Sequence, residues 1–129
     1  VIVDAAEGLI ITNHHVVADA SQITVRLSDD RSLRAKLLGS DPGTDVALLQ
    51  VEAEDLVEID FADVSTVAVG DYVVAIGNPF GIGQTVTSGI VSALGRAGIN
   101  NNNYEDFIQT DAALIRVIRV ARWWIWRAA

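Results

Sequence analysis

Two histidines stand side by side at His14 and His15, and the chain has no others. Histidine is the side chain whose ordinary pKa lies nearest neutrality, which suits it to moving protons. Both follow the apolar run Leu9-Ile10-Ile11, so a strand would deliver an imidazole to a surface or cleft. An imidazole there can serve as a general base once a carboxylate fixes its tautomer and stabilises the imidazolium. Asp45 is the best-placed carboxylate: it follows the turn Asp41-Pro42-Gly43-Thr44 and begins the apolar run Val46–Val51, where an unpaired charge would be costly. The same aspartate could simply cap that turn. Spacing alone separates neither these two roles nor His14 from His15.

Other chemistries fit less well. The chain has no cysteine, which removes disulfides and thiolate nucleophiles. Gly77, Gly81 and Gly83 are not followed by Lys-Ser or Lys-Thr, so they do not form a phosphate-binding loop. Neighbouring histidines on a strand point to opposite faces, so His14 and His15 are not expected to share a metal. No cofactor is implied. The net charge of −8 argues against nucleic acid as a partner.

The elements that would position these residues are short strands. Ile23–Leu27 alternates apolar and polar residues, Ser28–Arg31 reads as a hairpin turn, and Leu33–Leu38 forms its return strand. The Asp-Pro-Gly-Thr turn presets backbone angles before the strand Val46–Val51. Acidic residues 52–63 form a connector with Ile59 and Phe61 dipping into a core. Strands resume at Tyr72–Ile76, Thr85–Leu94 and Phe107–Asp111, with Asn100–Asn103 as a polar loop. Only Val16–Ala20 suggests a helical turn. Strands at this spacing predict an all-β barrel or sandwich fold, divided into two near residues 52–68.

The composition breaks near the end. Residues 1–115 carry five basic and seventeen acidic side chains, a charge of −12. Residues 116–129 carry four arginines, all three tryptophans and no acid. The chain has no methionine and begins within an apolar run, so a piece of a longer protein is expected. It contains no signal segment and no apolar run long enough to span a membrane.

The segment Gly8-Leu9-Ile10-Ile11-Thr12-Asn13-His14-His15-Val16-Val17 resembles the catalytic-histidine segment of the HtrA/Deg serine proteases. Asp41–Leu49 is similar to that family's catalytic-aspartate segment, and Val69–Gly81 to the start of its second barrel. Thr85–Arg96 and Asn103–Ala113 match as well, in family order. The resemblance implies a trypsin-like fold of two six-stranded barrels, present here as a fragment. It makes His15 the general base and Asp45 its orienting acid, and leaves His14 at a variable position. Arg96 and the loop to Asn103 resemble a sensor loop that couples peptide or PDZ-domain contacts to ordering of the active site.

On that reading residues 1–64 form part of the first barrel, carrying the catalytic His and Asp. Residues 65–114 begin the second barrel, residues 115–129 are a frameshifted, non-native tail, and PDZ domains are absent. The family continues from a segment like Thr110–Leu114 into Asn-Pro-Gly-Asn-Ser-Gly-Gly-Pro-Leu. Here the nucleophile position falls on Arg119 and the preceding glycine on Val117, and neither can do the chemistry. One permitted coding string for residues 115–129, with a single A restored before it, translates as Asn-Pro-Gly-Asn-Ser-Gly-Gly-Pro-Leu-Val-Asp. A one-base deletion near codon 115 would therefore account for the tail. An arginine-tryptophan segment of this kind also has the composition of an interfacial helix. Its charges and rings do not segregate at helical spacing, and membrane association is not expected.

The resemblance implies a serine endopeptidase of protein quality control, acting on unfolded polypeptides in the bacterial periplasm as a homotrimer or larger homo-oligomer. The chain as written would be inactive, because loss of the nucleophile costs on the order of 10⁶ in kcat. A non-catalytic, peptide-binding pseudoprotease scaffold is the alternative.

Overall fold

Strand-forming sequence at this spacing should leave little helix, and the computed structural model bears that out. It describes residues 1–78, 83–96, 107–113 and 122–125. Nine strands are seen there, with a four-residue α-helix and a short 3-10 turn. Among the described residues no helix is long and apolar enough to cross a membrane. The chain divides into two units, Val1–Phe61 and Ala62–Ala129.

The first unit contains β1 (Ile2–Asp4), β2 (Leu9–Thr12), α1 (His14–Val17), β3 (Ile23–Arg26), β4 (Ser32–Asp41) and β5 (Val46–Val51). Its strands form one sheet in the order β1-β2-β5-β4-β3, and every neighbouring pair is antiparallel. Strand β5 lies at the centre and shows why the sheet has an inside. Its side chains alternate, with Ala47, Leu49 and Val51 buried. They pack with Ile10 and Val17, flanked by Ile2, Ile23, Val25, Leu33, Ala35 and Leu56. Burying a side chain such as Leu49 contributes about 2 kcal/mol. Gly8 is fixed by close approach: its φ is +64°, and a Cβ there would strike the carbonyl oxygen of Val51.

Strand β4 runs three residues past the expected Leu38 and carries a bulge. Leu37 pairs with Leu49 and Gly39 with Leu48, so Leu38 is the extra residue. Beyond the bulge, Ser40 pairs with Ala47 and Asp41 with Val46.

The expectation for the connector holds only in part. Ile59 is half-buried and its amide donates to the Ile2 carbonyl at 3.0 Å. Phe61 is 74% exposed rather than buried, because it lies beyond that last bond to β1; Leu56 packs against the core instead. The arginine of the β3–β4 turn holds the connector. Arg31 donates through Nη1 to the Glu54 carbonyl at 2.7 Å and through Nε to Asp29 Oδ2 at 2.7 Å.

The second unit begins with a 3-10 turn at Val64–Thr66, capped by Asp63, which accepts from the Ser65 amide and hydroxyl. Strands β6 (Tyr72–Gly77), β7 (Thr85–Arg96), β8 (Phe107–Thr110) and β9 (Arg122–Ile125) follow. They are ordered β8-β7-β6-β9, around Val67, Val73 and Val91 with Ile108 packed alongside. The segment after β8 is bound to β7. Asp111 Oδ1 accepts the Ile90 amide at 2.8 Å, and the Thr87 hydroxyl donates to the Ala113 carbonyl at 2.8 Å. Gly89 permits this, since a Cβ there would overlap the Ala112 nitrogen and Asp111 Oδ1.

Within the segment read from the sequence as a non-native tail, the backbone of Arg122–Ile125 pairs antiparallel with β6 from Ile76 to Val73. Consecutive tryptophans followed by isoleucine have high strand propensity, which suits this placement.

Candidate active site

The register between β2 and β5 builds the site. Leu9 pairs with Gln50 and Thr12 with Ala47, and two more places along the same register set His14 opposite Asp45. The His14 amide accordingly donates to the Asp45 carbonyl at 3.1 Å. The strand ends there because Asp45 adopts the left-handed region at φ +58°. Aspartate tolerates that region better than most residues with a side chain.

The helical turn starts at His14, two residues earlier than the sequence suggested, so the two histidines sit on α1 and not on a strand. Four residues cannot hold a helix by themselves, and Asn13, at its N-cap, makes no side-chain cap to it. The cap comes from across the sheet. The His15 amide donates to Asp45 Oδ1 at 2.9 Å, supplying an acceptor to one of the unpaired donors of the first turn. Asn13, 7% exposed, turns its side chain away from the helix. Its Nδ2 donates to the Asp45 carbonyl at 2.9 Å and to Asp45 Oδ2 at 3.2 Å.

The carboxylate so held meets the imidazole of His15. Nδ1 lies 2.7 Å from Asp45 Oδ2 and 3.0 Å from Oδ1. An ionised carboxylate only accepts, so Nδ1 carries the proton and Nε2 keeps its lone pair. The Asp45 side chain is 20% exposed and that of His15 is 47% exposed. The oriented base is thus open to solvent while its partner is mostly covered.

Capping of the turn falls to another aspartate. Asp41 Oδ1 accepts the Gly43 amide at 2.9 Å, and Oδ2 accepts the Thr44 hydroxyl at 2.8 Å. Those bonds, the hydroxyl's first, hold the Asp41 carboxyl below its ordinary range. With Asp41 closing the turn, the Asp45 carboxylate is left to face His15. His14 faces elsewhere: its Nδ1 is 3.0 Å from Ser40 Oγ.

His15 and Asp45 are therefore brought together. Arg96 lies in the second unit, where its backbone ends β7 opposite Phe107. The rest of the expected sensor loop, residues 97–103, and the nucleophile position, Arg119, fall outside the described residues. Among the described residues no group of three or more His, Asp or Glu could hold a metal ion. Sequence reasoning missed Asn13 and Ser40. Asn13 had one available signal, as a cap-type residue at a strand-to-helix junction; Ser40 had none.

Residues 1–116 match the family described as a trypsin-like peptidase domain. Over 117 residues, 90% of the chain, it is 60% identical to the periplasmic serine endoprotease DegP of Salmonella typhimurium, covering 25% of that protein. It is 52% identical over the same length to the periplasmic pH-dependent serine endoprotease DegQ of Escherichia coli, covering 26% of it. The solved structure of the HtrA-type protease AlgW with a decapeptide superposes with a TM-score of 0.88 at 48% identity. That match covers 95% of this chain and 38% of the other. The chain thus spans about a quarter of the length of the curated relatives it matches.

Proposed function

Because this chain belongs to the trypsin-like peptidase family, and within it to the HtrA/Deg serine proteases, we propose that it derives from a serine endopeptidase acting on unfolded polypeptides in the periplasm. The observation that carries the reading is the 2.7 Å contact between His15 Nδ1 and Asp45 Oδ2, which leaves Nε2 as the basic nitrogen. In the working protease His15 Nε2 takes the proton of a serine hydroxyl as that oxygen attacks the peptide carbonyl. The proton then passes to the leaving amine. Asp45 holds the tautomer and stabilises the imidazolium between the two transfers. The protease works as a homotrimer or larger homo-oligomer, with Arg96 in a sensor loop.

The chain as written is inactive on this reading, since Arg119 stands where the serine belongs. The test is casein cleavage by the gene carrying the whole protease, with and without the single base restored before codon 115. Cleavage only after restoration supports the proposal, provided His15→Ala abolishes it. No cleavage by a folded, restored protein sinks it.

One observation favours a second reading, a non-catalytic scaffold that binds peptides: the backbone of Arg122–Ile125 is paired along β6 as an integral strand. Stable, monodisperse folding of the as-written chain together with peptide binding would support that scaffold.

A further inference from the structure

Of the two histidines, only His15 is used by the proposed chemistry, yet the ring of His14 is tied as well. It is half-buried and its Nδ1 lies 3.0 Å from Ser40 Oγ. Strand order makes this bond unusual. His14 follows β2, Ser40 lies on β4, and β5 runs between them. The His14–Ser40 bond therefore spans the start of β5, where Asp45 and Val46 sit. Ser40 pairs with Ala47 and Asp41 with Val46, so Ser40 belongs to the last stretch of β4 before the turn. That turn is itself closed by Asp41. His14 also contributes, after Thr44 and Gly43, to holding the Asp41 carboxyl low.

We propose that His14 is a positioning residue, whose bond to Ser40 clasps α1 to β4 across β5 and keeps the Asp45 carboxylate seated against His15. Among the described residues, the other hydrogen bonds from the turn 42–45 to α1 and its N-cap run to groups of Asp45 itself. The His14 backbone N–H and the Asn13 side-chain Nδ2 donate to its carbonyl, and the His15 backbone N–H and ring reach its carboxylate. Those bonds converge on one residue whose backbone lies in the left-handed region. A second attachment, five residues upstream on β4, limits pivoting of the turn about that residue. The importance of the clasp for catalysis rests on the proposed function; its existence does not.

The test is hydrogen exchange of the His15 amide in the 129-residue chain, with long-range proton–nitrogen spectra reporting the tautomer of the His15 ring. Both His14→Leu and Ser40→Ala should speed that exchange about fivefold, the usual worth of one hydrogen bond. The double substitution should add nothing further, because the two residues act as one unit. His14→Asn should restore protection, since its amide atoms branch from Cγ as Nδ1 does and reach equally far. Exchange at Leu49 should not change, which separates loosening of the site from general unfolding. Unchanged His15 exchange in Ser40→Ala, fully additive effects, or failure of His14→Asn to restore protection would each overturn the proposal. An inactive restored protease with the fivefold effect intact would sink the proposed function and leave the clasp standing.

Discussion

Replacing Asp45 by asparagine isolates the carboxylate's charge, because asparagine also tolerates φ +58° and the backbone need not move. The structure dictates how the new amide must sit. The His15 backbone N–H, 2.9 Å from Oδ1, can only donate, so the amide oxygen has to occupy that place. The NH₂ group then stands where Oδ2 stood, 2.7 Å from His15 Nδ1. Two donors cannot face each other at that distance, and the amide oxygen, farther from Nδ1 at 3.0 Å, already accepts the His15 backbone N–H, so Nδ1 gives up its proton and the imidazole changes to the Nε2–H tautomer. Asn13 also loses its 3.2 Å acceptor but keeps the Asp45 carbonyl. Losing charge assistance on these bonds should cost ~2 kcal/mol. In the restored protease the wrong tautomer should lower kcat by about 10⁴. Nitrogen chemical shifts of the His15 ring read the tautomer directly, and urea denaturation reads the stability. An Nδ1–H tautomer surviving in Asp45→Asn would refute the reasoning, whatever happened to activity.

Four further outcomes follow from the same geometry. Asn13→Ala removes a buried donor that serves both the carbonyl and the carboxylate of Asp45, and should cost ~2 kcal/mol in urea denaturation. Gly89→Ala drives a methyl into the Asp111–Ala112 segment; it should cost about 3 kcal/mol and speed exchange of the Ile90 amide, which Asp111 now accepts. Arg31→Ala removes the bonds to the Glu54 and Asp55 carbonyls while Leu56 and Ile59 keep their own contacts, so limited proteolysis near residues 53–55 should accelerate with little change in Tm, the bonds being exposed. Asp41 has a folded pKa below its ordinary value because of Thr44 and Gly43. Its stabilisation is complete above the ordinary aspartate pKa and is lost as pH falls through the depressed one; a carbon-detected titration of Asp41 with an undepressed midpoint would contradict this.

Much of the frame was legible because it follows short-range rules. Val46–Val51 shows its period-two alternation, and Ser28–Arg31 and Asp41–Thr44 carry turn chemistry that fixes where strands end. The pairing of His15 with Asp45 rested on resemblance, since Asp41 and Asp45 bracket the same turn and local sequence cannot say which one caps it. Hydrogen bonds decide it: Asp41 reaches Gly43 and Thr44, while Asp45 reaches back thirty residues to His15. Long-range bonds also explain what was misplaced. The helix begins at His14 because its acceptors come from Asp45, just ahead of β5, and no local signal announces them. Phe61 follows a hydrophobic pattern but lies past the last bond to β1, where the sheet no longer covers it.

The cap that Asp45 supplies to α1 has a kinetic meaning. A helix of four residues does not persist in an unfolded chain, and its acceptor waits thirty residues downstream. The imidazole therefore cannot be oriented during synthesis until β5 has emerged and paired with β2. Thereafter any excursion that opens the β2–β5 corner releases helix, tautomer and base together. Arming of the histidine and folding of this corner form a single equilibrium, so a partly folded molecule carries no loose, competent base to act on its neighbours.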